Sequence, residues 1–513
     1  MILHKKKSAQ KWVQILAFFV ILFTLLCTSC HFNLSVSAET SPAIPHKSII
    51  RVNVTRQDYN FHRPWQQMAP STKTGIGVVI KGPRVLITAA HIANHRYIEL
   101  EKIDTRKKSS AQVEFIDYEA NLALLKAAEK DFLVDMKPLA LISEAKQEDT
   151  LTIWQVKPNG NIIPSQSAIT STELAHYYYR NHFLIYRMQG SLQHRSGNFT
   201  LPVLKGKKLA GLAMRYYSKE QTIDVLAAPV IEHFLEDTAD GKYLGFPLAG
   251  LQGVSTEDPQ LRRYIGIADK DGGLYVESII KGGAAERAGL KEGDVIFDIA
   301  GHPIDSHGNF QHPLYGSISH SHLVRCGFHV GDSLTYGVMR AGRNLTLDIL
   351  LDHRPPEEFL VPPYVIDTSP HYFILGGLVL QELSTSYLEA YGKQWPLVAP
   401  IHLVYYEQNQ NSLKNNNRGK IVFLSEVLPT SYTAGYETLS DLVVTQINNQ
   451  IILRLEDVPL ALKKPVSGFH KIEFEQRPEI LYLDSTELSL INEEVRKRYN
   501  LPTLENLDLS EPK

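Results

Sequence analysis

Short apolar runs alternate with turn residues over residues 47–237. The runs are Gly77–Ile80, Val85–Ile87, Tyr97–Leu100, Leu122–Leu125, Leu151–Trp154 and Leu209–Leu212. Many short strands at close spacing are typical of a β-sandwich or a β-barrel. Pro229–Leu235 is predicted to begin a helix with its apolar residues on one face, and the polar residues 238–241 mark a linker. The pattern predicts an all-β first unit that ends in a helix.

A second unit, residues 242–352, combines strands with one short helix. A strand opens at Gly273–Val276, a short helix over Gly282–Leu290 ends at a glycine, and another strand begins at Gly293–Ile296. Asn344–Leu351 alternates apolar and polar residues, as the edge strand of a sheet does. The pattern predicts a small, β-rich domain.

A third β-rich unit, residues 364–513, follows a proline-rich linker. The polar, asparagine-rich residues 408–417 are predicted to form an exposed loop. Near the end of the chain, residues 484–487 resemble a helix start with a capping acid. The residues that follow place an apolar stripe on one helix face, which we expect to pack on the third unit. The stripe consists of Leu488, Ile491, Val495 and Tyr499.

Composition and charge restrict the class of partner. The chain has 513 residues, of which 43% are hydrophobic and 21% are charged, and its formal net charge is -2. These values are ordinary for a globular protein of about three domains. A charge balance this close to neutral argues against a nucleic-acid partner.

Residues 1–38 have the pattern of a targeting segment. Lysines precede the apolar run Trp12–Leu26, which is shorter than a membrane span of about 20 residues. Val36–Ala38 offers a cleavage site; lipidation at Cys30 and an uncleaved membrane anchor are the alternatives. We therefore expect an exported protein, periplasmic or associated with the cell envelope. Cys326 alone would remain after cleavage, so the core rather than a disulfide would hold the fold.

Several stretches resemble a known family of proteases. Thr88–His91 is similar to the histidine motif of trypsin-fold proteases, and residues 75–93 and 119–125 look like the HtrA/Deg serine proteases. Residues 288–296 resemble the helix–turn–strand signature of a PDZ domain.

Two further stretches, residues 241–247 and 372–377, are similar to a narrower branch that includes plant organellar and bacterial Deg proteins. The resemblance implies a mainly β fold: a trypsin-like double β-barrel over residues 47–237, a PDZ domain over 242–352, and a divergent PDZ-like domain with a terminal helix over 364–513.

The resemblance also implies a function and partners. Members of the family act in protein quality control, bind unfolded polypeptides or peptide C-termini, cleave the backbone, and assemble as trimers or larger homo-oligomers. For this chain, membrane attachment would come through the N-terminus. No cofactor and no metal is expected.

The catalytic positions have to be checked one by one. A trypsin-like site needs a histidine as base, an aspartate that orients it, and a serine nucleophile. His91 is the predicted base, but Asn121 stands where relatives have the aspartate. In trypsin-type proteases such a change lowers turnover by about 10⁴-fold. Asp117 and Glu119 are close in sequence but out of register, and the two-residue period of a strand limits compensation by either.

The nucleophile lies within residues 193–203, QHRSGNFTLPV. No register restores the Gly-Asn-Ser-Gly-Gly-Pro turn of the family, and different registers place Gly197, Ser196 or Phe199 at the nucleophile. With Ser196 as the nucleophile, Gly197 and Asn198 would form the oxyanion turn, at a cost where a β-carbon replaces a glycine. Two hypotheses stay open: an impaired protease domain, and an active serine endopeptidase that uses His91 and Ser196 on misfolded exported proteins.

Two further clusters suggest binding chemistry. Leu244, Gly245 and Phe246 match the PDZ loop whose backbone amides receive a peptide's terminal carboxylate, although an ordinary strand start has the same pattern. His320-Ser321-His322 with Cys326 could ligate zinc, but the spacing matches no familiar zinc pattern. We therefore predict a peptide site and no metal site.

Overall fold

The computed structural model describes residues 46–177, 179, 182–193, 197–414 and 419–507, with residues 197, 198 and 414 as backbone only. The predicted targeting segment 1–38, with Cys30, lies outside the described residues. Strands predominate in the described part, so the prediction of a mainly β fold is confirmed. None of the helices there is long and apolar enough to cross a membrane.

The first unit consists of two closed β-barrels. The first barrel contains β1 (Ile49–Arg56), β2 (Ser71–Ile80), β3 (Arg84–Ile87), β4 (His95–Lys102), β5 (Lys108–Asp117) and β6 (Leu122–Ala127). The second contains β7 (Thr150–Val156), β8 (Ile162–His176), β9 (His182–Gln189), β10 (Gly197–Lys205), β11 (Lys208–Tyr217) and β12 (Thr222–Ala227). The strands run in the orders β1-β2-β3-β6-β5-β4 and β10-β11-β12-β9-β8-β7. Closure leaves neither barrel with an open edge.

Two helices accompany the barrels, α1 (Ala89–Ile92) directly after β3 and α2 (Ala228–Asp237) after β12. The predicted helix near Pro229 is α2, with the proline in its first turn. Its inner face is fully buried on the second barrel, and such side chains each contribute about 1.5–3 kcal/mol. This face consists of Val230, Ile231 and Phe234. Burial therefore fixes α2 firmly to the barrel.

The second unit is a smaller antiparallel sheet. Its strands are β13 (Leu251–Ser255), β14 (Leu274–Ile279), β15 (Val295–Ile299), β16 (His302–Pro303), β17 (Asn309–His312), β18 (Gly316–Ser319), β19 (Ser333–Arg340) and β20 (Arg343–Leu350). Its helices are α3 (Pro259–Tyr264), α4 (Ala284–Arg287) and α5 (His320–Gly327). The sheet order is β13-β14-β15-β19-β20, with β16 beside β15 and β17–β18 as a separate hairpin. Strand β13 is thus at one end of the sheet, and α5 contacts α2 and β9 of the first unit.

The third unit is an eight-stranded sheet with helices. Its strands are β21 (Tyr372–Leu375), β22 (Leu378–Glu382), β23 (Val422–Val427), β24 (Leu442–Ile447), β25 (Gln450–Ile451), β26 (Phe469–Phe474), β27 (Ile480–Asp484) and β28 (Glu505–Asn506). The order is β27-β26-β24-β23-β22-β21-β28, with β25 beside β24. Its helices are α6 (Thr385–Glu389), α7 (Trp395–Val398), α8 (Ile401–Gln408), α9 (Gln410–Lys414), α10 (Asp457–Ala461) and α11 (Leu488–Arg498).

Two predictions about helices in this unit have different outcomes. The stripe on α11 packs on the third unit as expected, because Ile491 and Val495 are buried against Tyr372 and its neighbours. The predicted loop at residues 408–417 is instead partly helical, as α9. The physical reason is Leu413, which packs against the apolar cluster beneath the helices. The rest of that stretch, residues 415–417, lies outside the described residues.

Candidate functional site

His91 lies in α1, the short helix that follows β3 in the first barrel. Thr88 precedes the helix, and its hydroxyl is hydrogen-bonded to the hydroxyl of Thr200 in β10 of the second barrel. The imidazole is 1% exposed. The Thr-Ala-Ala-His stretch therefore places His91 between the two barrels, at a fully buried position.

The imidazole of His91 is hydrogen-bonded to the backbone. Its Nε2 lies 3.0 Å from the carbonyl oxygen of Val52 in β1. Because a carbonyl only accepts, Nε2 carries the proton in this contact. Nδ1 is then the unprotonated nitrogen, and it is buried without a hydrogen-bond partner among the described residues. In a serine protease the roles are reversed, since Nδ1 donates to the carboxylate and Nε2 accepts from the serine.

A glycine makes room for this ring orientation. Gly75 in β2 is the cross-strand neighbour of Val52. A β-carbon at Gly75 would lie only 2.6 Å from Cε1 of His91 and 2.8 Å from its Nε2. The ring thus lies flat against the β1–β2 pair, in space that only a glycine leaves.

The electrostatic surroundings keep His91 neutral. Burial, with smaller contributions from the positive charges of Lys73 and Arg56, lowers the pKa of His91 to about 4. A general base works best with a pKa near the operating pH, and catalytic carboxylates raise the pKa of their histidine. No carboxylate is hydrogen-bonded to His91 in the described part of the chain.

Asn121 supports the backbone of α1 rather than the imidazole. Its Oδ1 accepts a hydrogen bond of 2.8 Å from the Ala90 amide, and its backbone carbonyl accepts one of 3.2 Å from the Ala89 amide. Its Nδ2 points to Met214, 3.9 Å from the sulfur. Asn121 has a φ of 55°, a left-handed conformation that asparagine tolerates better than most residues. The asparagine therefore positions the helix, and its side chain has no direct bond to the ring.

Asp117 and Glu119 point elsewhere. Asp117 accepts hydrogen bonds from the Ala120 amide at 2.6 Å and from the hydroxyl of Tyr243, which lies between α2 and β13. Glu119 is buried, and burial together with the charge of Asp117 raises the pKa of Glu119 to about 7. Glu119 Oε2 has no hydrogen-bond partner among the described residues. Neither carboxylate replaces the missing aspartate at His91.

The predicted nucleophile, Ser196, lies outside the described residues. The residues that follow it are described, and they belong to a strand. Gly197 and Asn198 begin β10 and pair with Tyr216 and Arg215 of β11, where a turn of the oxyanion type was predicted. Phe199 packs against the core of the second barrel. The backbone is thus extended from Gly197 onward.

A segment of the third unit covers the outer side of α1. Asp367 and Asn94 exchange two hydrogen bonds, from the Asn94 amide to Asp367 Oδ1 at 2.7 Å and from the Asp367 amide to Asn94 Oδ1 at 2.8 Å. The Tyr118 hydroxyl donates to Asp367, and the Tyr118 ring packs edge-on against Tyr364 at 5.6 Å. We call residues 364–367 the covering segment. Together with Ala89 and Ala93 these rings form an apolar cluster over the His91 helix.

The predicted carboxylate-binding loop, residues 244–246, lies against the first unit. Phe246 is fully buried between the rings of Phe183 and His233, at 4.7 Å and 4.6 Å. Gly245 has a φ of 88°. The amides of Leu244 and Gly245 both donate to the Asp237 carboxylate at the end of α2. This acceptor was not predicted from the sequence.

His320, His322 and Cys326, for which no metal site is predicted, lie in α5. His320 Nδ1 is bonded to the carbonyl of Gly308 at 2.8 Å, and burial lowers the pKa of His322 to about 4. Burial raises the pKa of Cys326 to about 12, so the thiol stays protonated. In the described ranges, no group of three or more histidine, cysteine, aspartate or glutamate side chains could hold a metal ion.

Comparison with known proteins identifies the modules. A PDZ domain model matches residues 235–311, and a second PDZ domain model matches residues 361–506. Protease Do-like 2, chloroplastic, of Arabidopsis thaliana is 25% identical over 492 residues, which span 94% of this chain and 79% of the relative. Protease Do-like 4, mitochondrial, of the same organism is 24% identical and spans 78% of this chain and 74% of the relative.

The chain belongs to the HtrA/Deg protease family with PDZ domains. Among solved structures, the HtrA-type protease AlgW with a decapeptide aligns with a TM-score of 0.46 at 17% identity, over 62% of this chain and 98% of that chain. With a TM-score below 0.5, the assignment rests on the sequence relatives and the PDZ models. The homologues are serine proteases. The ring orientation of His91 and the asparagine at position 121 therefore bear on the catalytic chemistry of the HtrA/Deg family.

Two features of this HtrA/Deg homologue could not be predicted from the sequence: the contact of Asp237 with the loop, and the position of the covering segment. Asp237 looks like any acid at a helix end, and its contact with the loop depends on how the PDZ domain docks on α2. The covering segment directly follows the proline-rich linker in sequence, and it reaches Tyr118 across about 250 residues of chain.

Proposed function

We propose that this HtrA/Deg homologue binds unfolded polypeptides through its first PDZ domain and does not cleave them. Its protease domain would serve as a structural platform for that domain. We further propose that it acts in protein quality control in the cell envelope, where the targeting pattern of residues 1–38 would direct it.

The observation that carries the loss of catalysis is the hydrogen bond from His91 Nε2 to Val52. A catalytic base has to take the serine proton on Nε2, yet that nitrogen already carries a proton and points to a carbonyl. Rotating the ring about its Cβ–Cγ bond would break this hydrogen bond, and Asn121 would offer no negative charge to the imidazolium that catalysis forms. The geometry therefore favours a structural histidine.

The covering segment supports the same reading. Tyr118 lies three residues before Asn121, and both its ring and its hydroxyl are engaged by residues 364–367. A polypeptide that approached α1 from this side would have to displace the covering segment and break the two bonds between Asn94 and Asp367. The third unit thus competes with a substrate beside His91.

Peptide binding is supported by an open edge strand in the sheet of the first PDZ domain. Extended peptides bind PDZ domains by adding a strand to an exposed sheet edge. Strand β13 is terminal in the first PDZ sheet, and no described strand pairs with its outer side. The first PDZ domain therefore has, at β13, a sheet edge to which an extended peptide can add.

The test uses the chain from residue 39 onward together with Ser196→Ala and Asn121→Asp. Each protein is treated with a fluorophosphonate that labels activated serines and, separately, with fluorescein-labelled unfolded casein. We expect no labelling and no cleavage by any of the three, because restoring the carboxylate at Asn121 leaves Nε2 bonded to Val52. We expect casein to bind all three equally, as measured by fluorescence anisotropy.

The alternative is an active endopeptidase that uses His91 and Ser196. Labelling and casein cleavage by the unmodified chain that vanish in Ser196→Ala would establish that alternative. Absence of casein binding would refute the binding role. An active trypsin-fold protease, labelled in parallel, shows that the probe works.

A further inference from the structure

The acceptor at the first PDZ loop is already part of this chain. Asp237 Oδ2 accepts hydrogen bonds from the Leu244 amide at 2.9 Å and from the Gly245 amide at 3.0 Å. Two adjacent backbone amides that converge on one carboxylate oxygen are the arrangement by which such loops capture a terminal carboxylate. Here the carboxylate is a side chain of the helix that precedes the loop.

The position of Asp237 in its helix shows what holds it there. It is the last residue of α2, where the helix dipole disfavours a negative charge, and the last turn of α2 has no basic residue. Asp237 forms no ion pair with any residue that the structure describes. The two loop amides are therefore the interactions that offset an unfavourable position for a carboxylate.

Both sides of this contact are fixed. Helix α2 buries one face in the second barrel, and Phe246 is fully buried against Phe183 and His233 of the same unit. Gly245 is enclosed as well, because a β-carbon there would lie 2.8 Å from the His353 ring. Since helix and loop are both anchored on the first unit, the amides cannot move away from Asp237 without breaking buried packing.

We propose that the first PDZ domain recognises internal extended segments of a polypeptide, not its C-terminal carboxylate. This inference rests on the proposed peptide binding through β13 and names the class of ligand. A terminal carboxylate would find both amides occupied and would be repelled by Asp237. An internal segment needs only the open edge of β13, and the exposed side chain of Leu244 adds apolar surface beside the loop.

The experiment compares two fluorescein-labelled decapeptides of identical apolar sequence, one with a free C-terminal carboxylate and one amidated. The chain is tested unmodified and as Asp237→Ala. The matched control is Asp240→Ala, which removes an exposed carboxylate whose Oδ1 accepts from the Lys242 amide at 2.9 Å. The unmodified chain should bind both peptides with affinities equal within about twofold. Asp237→Ala should bind the free acid at least tenfold more tightly than the amide, and Asp240→Ala should behave like the unmodified chain.

The outcomes separate this inference from the function on which it rests. A tenfold preference of the unmodified chain for the free acid would overturn the inference and leave peptide binding intact; that comparison needs no variant to fold. Equal binding of the two peptides by Asp237→Ala would also overturn it, because the freed amides would then have no role. If neither peptide binds any of the three proteins, the proposed peptide binding itself fails, and the inference with it. If the unmodified chain binds neither and Asp237→Ala binds the free acid, occupation of the amides by Asp237 is supported but recognition of internal segments is refuted.

Discussion

At the scale of single residues, the buried imidazole of His91 makes folding sensitive to acid. Burial and the charges of Lys73 and Arg56 lower the pKa of His91 to about 4, whereas an unfolded histidine has a pKa of about 6.5. Between these values the unfolded chain binds a proton that the folded chain excludes. The free energy of unfolding therefore falls as the pH drops from 6.5 towards 4.

The first prediction is that His91→Gln reduces this sensitivity. A glutamine amide can still donate to the Val52 carbonyl but does not titrate. Between pH 7 and pH 5 the unmodified chain should lose about 2 kcal/mol more stability than the variant. Urea denaturation at the two pH values measures the difference.

Equal losses for the unmodified chain and His91→Gln would mean that His91 is protonated as easily in the fold as outside it. That outcome would contradict the buried, neutral ring on which the structural reading of His91 depends.

The sequence could predict where His91 lies but not what its ring does. The Thr-Ala-Ala-His stretch after an apolar strand is enough to locate the residue. The orientation of the ring depends on a cross-strand pair, Val52 and Gly75, that comes together only when β1 pairs with β2. In the same way, the change at Asn121 was visible, but its bond to the Ala90 amide was not.

At the scale of elements, prediction succeeded where burial alone decides. Apolar runs such as Leu122–Leu125 became buried strands, and α2 and α11 follow their apolar faces. It failed for α9, since one partly buried leucine in a polar stretch gives a weak periodic signal. It also gave no sign that β28 would extend the third sheet, because a strand of two residues carries no pattern.

The covering segment holds the third unit on the His91 helix through few polar bonds. Its carboxylate, Asp367, binds the Tyr118 hydroxyl and the Asn94 amide at once. A hydrogen bond to a charged acceptor contributes about 1.5–3 kcal/mol when buried, and less at a partly exposed site such as this one. The segment should therefore open locally before the sheets unfold.

The second prediction concerns Tyr118→Phe, which keeps the ring packed on Tyr364 and removes the hydroxyl. Losing about 1 kcal/mol should make amide hydrogen exchange in residues 364–367 faster by roughly fivefold. Hydrogen exchange with mass spectrometry measures this. Tyr264→Phe, at a tyrosine that is 87% exposed, is the control and should change nothing. Unchanged exchange in Tyr118→Phe would mean that the hydroxyl does not hold the covering segment.

At the scale of the whole molecule, the first PDZ domain is built into the barrels. Phe246 belongs to the core of the first unit although it precedes the PDZ sheet, and α5 contacts α2 and β9. The Tyr315 hydroxyl of the hairpin between β17 and β18 donates to the Ser143 carbonyl at 3.1 Å. Shared buried contacts of this kind make neighbouring domains unfold together.

The last prediction follows from that shared core. Phe246→Ala would leave a cavity between Phe183 and His233, and such truncations cost about 3–5 kcal/mol. Much of that loss weakens the contact between the barrels and the first PDZ domain. The barrels and this domain should therefore melt in two calorimetric transitions instead of one. Leu244→Ala, in the same loop but 52% exposed, should keep the single transition. A single transition in Phe246→Ala, merely shifted to lower temperature, would show that Phe246 stabilises the barrel without joining the domains.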